Sequence, residues 1–427
     1  MHPAPRARVP PRGSLILVLA ANAISLLGNV MAAVAIPWFV LAETGSALQT
    51  GIAAVFASAP LAIGALFGGT ITDRIGPRAA SIVGDLLSAG SVAGIPLLHS
   101  LGVLEFWHLL VLAFLGALFD APAASAREAL LPDLTRRSRL RTEQVTSALT
   151  ATEHGSYLLG APLAGLLIAL IGAPALLWVD AISFAASAAL VGAVSVPKAS
   201  SPPSRPAPRH YGRELVEGLA WIWRDRAILT VTLAATAGAF LIDPLSPVLL
   251  PIYVSTRFGD PTALGLALGA YGVGGLIGIA CFSWLSGRIS RGALYRMLWF
   301  AYAAASFALA ILPDLLVLLA ILVAVGITVG AIDPLERAVR QERTPPALRG
   351  RVFAAMYAVP KIVVPLGVFM AGLLVELFGL RAALLAFAVG NALIALVLAA
   401  VPGTRLPNPD RPMGGPRAPP VGHSDQT

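Results

Sequence analysis

The chain has 427 residues, of which 57% are hydrophobic and only 12% charged, with a formal net charge of +8 and a single cysteine. A soluble domain carries about 25% charged residues, so this composition excludes an ordinary soluble fold and points to lipid as the solvent. Cys281, alone in an apolar run, excludes an intrachain disulfide and a cysteine metal cluster. The basic excess sits in short segments between apolar runs, where it sets membrane topology rather than affinity for nucleic acid.

A bilayer-crossing helix needs about 20 predominantly apolar residues, and such runs recur from end to end. At the start, Arg6, Arg8 and Arg12 precede an apolar stretch, and Ala21-Asn22-Ala23 imitates a signal-peptide cleavage site. The stretch continues from Leu15 to Leu41, too long for a signal h-region, and reads as the first span. Breaks at Gly, Pro and charge clusters then give twelve spans. The first six cover 14–41, 47–72, 79–99, 106–131, 144–171 and 175–196. The second six cover 227–254, 262–286, 293–312, 315–336, 352–378 and 381–401. The expected fold is therefore an all-α integral membrane protein, with about twelve transmembrane helices in two pseudo-symmetric six-helix bundles. Residues 1–13 form an N-terminal segment, 14–196 the first bundle, 197–226 a linker, 227–401 the second bundle and 402–427 a disordered tail.

The linker opens on the proline-rich run Pro197 to Pro206, which cannot hold a helix. From Arg213 to Arg226, Leu215, Val216, Leu219 and Ile222 fall on one side, with Trp221 and Trp223 nearby. That pattern suits a short helix on the membrane surface, or an N-terminal extension of the seventh span. Arginine placement sets the orientation. One side receives Arg74, Arg78, Arg136, Arg137, Arg139, Arg141, the linker, Arg288, Arg291, Arg340, Arg343, Arg349 and the tail, and the other only Arg257 and Arg381. Both termini are expected in the cytoplasm. The preference for Arg over Lys, with abundant Ala, suits a GC-rich bacterial genome and hence a bacterial inner membrane.

An internal repeat runs through the chain. One common shift superposes Pro37 on Pro251, Gly45 on Gly259, Gly51 on Gly265, Gly64 on Gly278 and Arg74-Ile75 on Arg288-Ile289. Slightly shorter shifts put Pro122 on Pro334, and Ala164-Gly165-Leu166-Leu167 on Ala371-Gly372-Leu373-Leu374. Two parallel six-span halves about an axis along the membrane normal form a recognised transporter architecture.

After the second span comes Gly69-Thr70-Ile71-Thr72-Asp73-Arg74-Ile75-Gly76-Pro77-Arg78. Gly69 admits a close helix neighbour and Gly76 permits a tight turn, while the charges read at minimum as a topological signal. This segment resembles the signature loop of the major facilitator superfamily. The resemblance implies a conformational latch of Gly69, Asp73, Arg74, Gly76 and Arg78 that stabilises the outward-facing state, with Asp120 at the cytoplasmic end of span four as acidic partner. The second-half counterpart, Gly287-Arg288-Ile289-Ser290-Arg291, has lost the acid. Span five carries Gly160-Ala161-Pro162-Leu163-Ala164-Gly165, which resembles the Gly-Pro bend of proton-coupled exporters in this superfamily; ordinary Pro/Gly packing is the rival reading. The intramembrane arginine that many drug antiporters hold in span four is expected to be absent, the span reading Leu112-Ala113-Phe114-Leu115-Gly116. From Asn22 through Pro37-Trp38 to Trp178-Val179-Asp180-Ala181, the chain resembles the branch containing macrolide-efflux and enterobactin-export proteins.

Ionisable groups within spans each cost roughly 2.5–3.5 kcal/mol at a helix centre, so they mark candidate sites. Asp243, next to Pro244 midway along span seven, is expected to bind the coupling proton, or else to pair with a neighbouring helix. Asn22, Ser25 and Asn29 share one helical face, lining the cavity or joining helices. Lys361 could meet an acid or an anionic substrate, and Glu153 and His154 are further cavity candidates. Asp85 reads as part of the latch.

The expected function is a secondary transporter exporting a small hydrophobic or amphipathic molecule, drug-, antibiotic- or siderophore-like, by alternating access and proton antiport. The expectation includes no metal and no cofactor beyond the proton gradient, with a small-molecule substrate and membrane lipid as partners, no nucleic acid, and a monomeric state. A lipid or lysolipid flippase on the same fold is the alternative. An integral-membrane enzyme is less favoured, because none of the six histidines has metal-ligand spacing.

Overall fold

A computed structural model describes the backbone of residues 11–138, 140–194, 211–286, 288–345 and 348–400; within these, the side chains of 11, 61–71, 73, 143, 211–216, 350, 351, 354 and 357 are left undescribed. The described chain is helical. In the first half, α1 (Pro11–Thr44), α2 (Ala47–Ile75), α3 (Pro77–Ser100), α4 (Phe106–Ser138), α5 (Thr142–Ile171) and α6 (Ala173–Ala193) cross back and forth. A short α7 (Tyr211–Arg224) follows. The second half comprises α8 (Arg226–Leu241), α9 (Leu249–Arg257), α10 (Pro261–Leu285), α11 (Arg291–Leu309), α12 (Leu315–Arg343), α13 (Arg349–Phe378) and α14 (Leu380–Ala400). Ten of the described helical stretches, with α8 and α9 counted as one, are long and apolar enough to cross a bilayer. Together with α2 and α11 they make twelve crossings in two bundles.

The side of the membrane holding the start of α1, the end of α6 and α7 is called the linker side, and the opposite the far side. The repeat is visible in backbone geometry. Gly45 and Gly259, which the sequence superposes, both turn the chain at positive φ (+65° and +67°), a conformation a β-carbon resists. Gly172 between α5 and α6 and Gly379 between α13 and α14 do the same at +84° and +81°.

Helix α7 is separate from span seven. Asp225 has extended backbone and caps α8, accepting hydrogen bonds from the amides of Ala227 (2.9 Å) and Ile228 (3.0 Å). Ile222 of α7 is buried with Ile228, Val352, Ala355 and Met356, tying the linker helix to the start of α13.

Span seven is broken at its middle. Pro244 lacks the N–H that would pair with the Phe240 carbonyl, and Pro247 lacks the one for Asp243, so α8 stops at Leu241. A single 3₁₀ turn, Asp243–Leu245, leads on to α9. The freed Phe240 carbonyl lies against Gly367 of α13, where the missing side chain admits the other backbone.

The two halves touch through paired glycines near the far side. Gly51 at the start of α2 faces Gly372 near the end of α13, and Gly265 at the start of α10 faces Gly165 near the end of α5; a β-carbon at any of the four would meet backbone of the other half. Glu376 of α13 adds a polar tie, accepting from the Ser46 hydroxyl (3.2 Å) and the Leu48 amide (3.1 Å) at the start of α2. Because Gly51 aligns with Gly265 and Gly165 with Gly372 in the repeat, these are two copies of one clasp, and both lie toward the far side.

Candidate functional site: a linker-side cavity and a buried polar network

Below the clasps lies a tract of three pockets linked by shared lining residues. The smallest, about 110 Å³, lies within the second half and is lined by Asp243, Ser246, Leu250, Leu268, Tyr271 and Leu322. Tyr271 also lines a second pocket of about 370 Å³, with His154 and Tyr157 of α5, Gly275 of α10 and Asp333 and Arg337 of α12. His154 and Leu276 carry the tract on past Thr142, Thr146 and Thr150 to the linker-side end of α5. The lining is mostly apolar and aromatic, with a few polar groups converging on it, as small-molecule sites require.

The break in span seven puts Asp243 on this tract. Its side chain is exposed to the cavity and within electrostatic reach of Lys361 of α13, itself exposed, and of Tyr271 and Tyr302. The two residues that sequence treated separately are thus brought together. Glu153 and His154 are exposed on α5, and Glu153 faces Glu128 of α4. Asp333 pairs with Arg337 at 2.8 Å on the opposite wall. Among the described residues, no group of three His, Cys, Asp or Glu side chains is placed to hold a metal.

The first half contains a second polar assembly, almost entirely buried. Arg127 of α4 is 2% exposed and donates to Asp85 of α3 at 2.5 Å, to Ser187 of α6 at 3.4 Å and to Ser25 of α1 at 3.1 Å. Ser187 in turn donates to Asp85 at 2.7 Å. Asp120 lies 3.8 Å from Arg127 and accepts from the Asn29 amide at 2.9 Å. Asp180 of α6 accepts a hydroxyl from Ser183 at 3.3 Å and sits beside Gly28 of α1. Ser25 and Asn29 therefore join helices within the first bundle, while Asn22 is half-buried one turn earlier.

This arrangement corrects two expectations. Asp120, expected at the end of span four as partner of the signature loop, lies near the middle of the 33-residue α4, bonded to Asn29 and close to Arg127. And α4 does carry a buried arginine, Arg127, on the linker side of the Leu112–Gly116 segment. Its partner Asp85 is 42 residues away on another helix, so no local spacing announces it.

Within the signature loop, the Asp73 side chain and those of 61–71, which include Gly69 as a position, lie outside the described residues. Arg74 is exposed, and Gly76 makes the α2–α3 turn at φ +84°. Arg78 reaches across to the last turn of α6, donating to the Val191 carbonyl at 3.2 Å and to that of Gly192. There it meets the negative end of a helix dipole, at carbonyls of the last turn. In the second half, Arg291 pairs with Glu342, and Glu336 accepts from Arg340 (2.7 Å) and Tyr295 (2.8 Å). The exporter-like bend lies at helix contacts: Gly160 against Val30 of α1, Pro162 against Gly269 of α10, and Gly165 against Gly265.

Residues 12–416 match the profile of the family described as transmembrane secretion effector. The chain belongs to this family of major facilitator transporters. It is a membrane transporter and not an enzyme. Among its relatives, the multidrug efflux pump Tap of Mycolicibacterium fortuitum is 33% identical over 397 residues, covering 92% of this chain and 97% of the relative. Macrolide efflux protein A of Streptococcus pyogenes is 22% identical over 85% of this chain and 90% of its own length. Solved structures with the same fold include the nucleoside transporter NupG (TM-score 0.74, 9% identity, 90% of this chain and 98% of that one). A bacterial homologue of the lysosomal transporter Spinster gives a TM-score of 0.70 at 14% identity, covering 93% of this chain and 97% of that one.

Proposed function

We propose that this transporter exports amphipathic small molecules across a bacterial inner membrane by alternating access, driven by proton antiport, with its linker side in the cytoplasm. The observation that carries the reading is the tract from Asp243 to Thr142, reached from the linker side while paired glycine clasps hold the far side together. An exporter loads its cargo in this state. The efflux pumps among the relatives support the direction, and the arginine-rich linker side supports the orientation.

Its parts have defined tasks. Tyr157, Tyr271 and the surrounding apolar side chains offer a surface for the hydrophobic body of a substrate. Asp333 with Arg337 and Asp243 with Lys361 supply polar ends that fix its orientation. Asp243 is the coupling group in this scheme: a proton entering from the far-side state neutralises it, and its release on the linker side restores the charge. The break beside Pro244 lets the backbone there change without dismantling a continuous helix. The transporter functions as a monomer, needs no cofactor and takes its energy from the proton gradient.

Expression in a pump-deficient bacterial host tests this. The wild type should raise the tolerated concentration of several amphipathic compounds and lower their accumulation, and a protonophore should abolish the effect. Asp243→Asn should reach the membrane at normal levels yet fail to lower accumulation. Full protection by Asp243→Asn would remove that residue from coupling, and protection that survives the protonophore would refute the antiport.

A further inference from the structure

The buried network of the first half contains more negative groups than its one cation can satisfy. Asp85, Asp120 and Asp180 face a single guanidinium, Arg127, among the described residues of this cluster. That guanidinium is committed to Asp85 at 2.5 Å and to the hydroxyls of Ser25 and Ser187, and it stands 3.8 Å from Asp120. Asp180 is 1% exposed, its Oδ1 accepts only the long bond from Ser183, and its Oδ2 has no partner. Asp120 Oδ1 likewise has no hydrogen bond. Both acids flank the consecutive residues Gly28 and Asn29 of α1, and each is within electrostatic reach of the other.

Among the described residues, the surroundings of Asp180 offer no charge beyond these. Helix α1 presents Gly28 and Asn29, α3 presents Asp85, and α4 presents Asp120 and Arg127. Helix α5 carries Glu153 and His154 on an exposed face. An ionised carboxylate buried in a membrane bundle with neither a cation nor a full set of donors is a costly arrangement that a single bound proton removes.

We propose that Asp180 and Asp120 form a proton-binding pair: Asp180 is protonated in this state, and Asp120, whose side chain keeps 13% exposure, passes the proton between Asp180 and water. The neutral acid still accepts from Ser183, and a proton drawn from water is the only group transferred. The use of this pair in transport rests on the antiport reading. The protonation itself does not.

Infrared difference spectroscopy of the purified full-length transporter, without substrate or gradient, tests the pair. The carbonyl stretch of a protonated carboxyl should be present at neutral pH, lost in Asp180→Asn, shifted in Asp120→Asn and kept in Asp243→Asn. Asparagine mimics the neutral acid, so Asp180→Asn should also purify and melt like the wild type, whereas Asp85→Asn should not. The inference is overturned by a wild type without the band, by a band that survives Asp180→Asn, or by an Asp180→Asn protein that cannot be purified folded. Loss of uphill export in Asp180→Asn, with the band assigned to Asp180, would place the stored proton in the cycle. Normal export with that assignment would overturn its use in transport and leave the pair as a static acid.

Discussion

Asp85→Asn removes the charge that holds Arg127 in the core of the first bundle. The pair is fully enclosed, with side-chain exposures of 3% and 0% and a 2.5 Å contact, so water cannot replace the lost partner. Breaking a buried ion pair by removing one member costs about 3–5 kcal/mol, because a charge is left uncompensated. Here asparagine keeps an acceptor, and Arg127 retains the Ser25 hydroxyl at 3.1 Å and Asp120 at 3.8 Å, which places the expected loss at the lower end. A loss of about 3 kcal/mol is a roughly 150-fold shift toward the unfolded state. Denaturant unfolding of purified protein in micelles, followed by tryptophan fluorescence, measures it. Asp85→Leu combined with Arg127→Met should recover much of the loss, since an apolar pair of similar volume needs no compensation. A single variant within about 0.5 kcal/mol of wild type, or a double variant no better than the single, would refute the reasoning.

Two further outcomes follow from the clasps and the orientation. Gly165→Val places a branched side chain against the backbone of Gly265, so it should insert normally, hold the far side apart and abolish export; a cysteine at Thr146, on the linker-side tract, should then react more slowly with a soluble maleimide than in the wild-type background. Unchanged export by Gly165→Val would show that the clasp is not needed. In intact cells, Glu105→Cys in the α3–α4 turn should react with a membrane-impermeant thiol reagent and Arg141→Cys before α5 should not; the reverse pattern would invert the assigned topology.

The sequence makes the crossings legible because a lipid solvent demands long apolar runs, and it makes the halves legible because glycines at turns and contacts recur in one register. Gly45 with Gly259 and Gly51 with Gly265 are such pairs, and the structure gives each a matching backbone role. The break at Asp243-Pro244 is also written locally, since proline removes its own N–H. Pairings between helices are not. Arg127 falls inside the fourth span, and its role does not show until α3 and α6 are packed around it. Asp180 appears in sequence only within the Trp178-Val179-Asp180-Ala181 resemblance, and nothing nearby says that it lacks a cation. Tyr271 and Asp333 line the cavity only because α10 and α12 turn those faces toward it, and a helix with glycine on most sides gives no amphipathic signal of which face that is.

Everted membrane vesicles from cells expressing the transporter test the central claim most directly. With respiration acidifying the interior and a fluorescent probe reporting ΔpH, the proposed orientation turns the linker side to the medium. The account predicts that at least one amphipathic compound to which the protein confers tolerance collapses ΔpH on addition, through protons leaving as the compound enters, and that vesicles with Asp243→Asn show no such response. Accumulation of the compound with ΔpH undisturbed, or equal responses in wild-type and Asp243→Asn vesicles, would contradict proton-coupled export through this site.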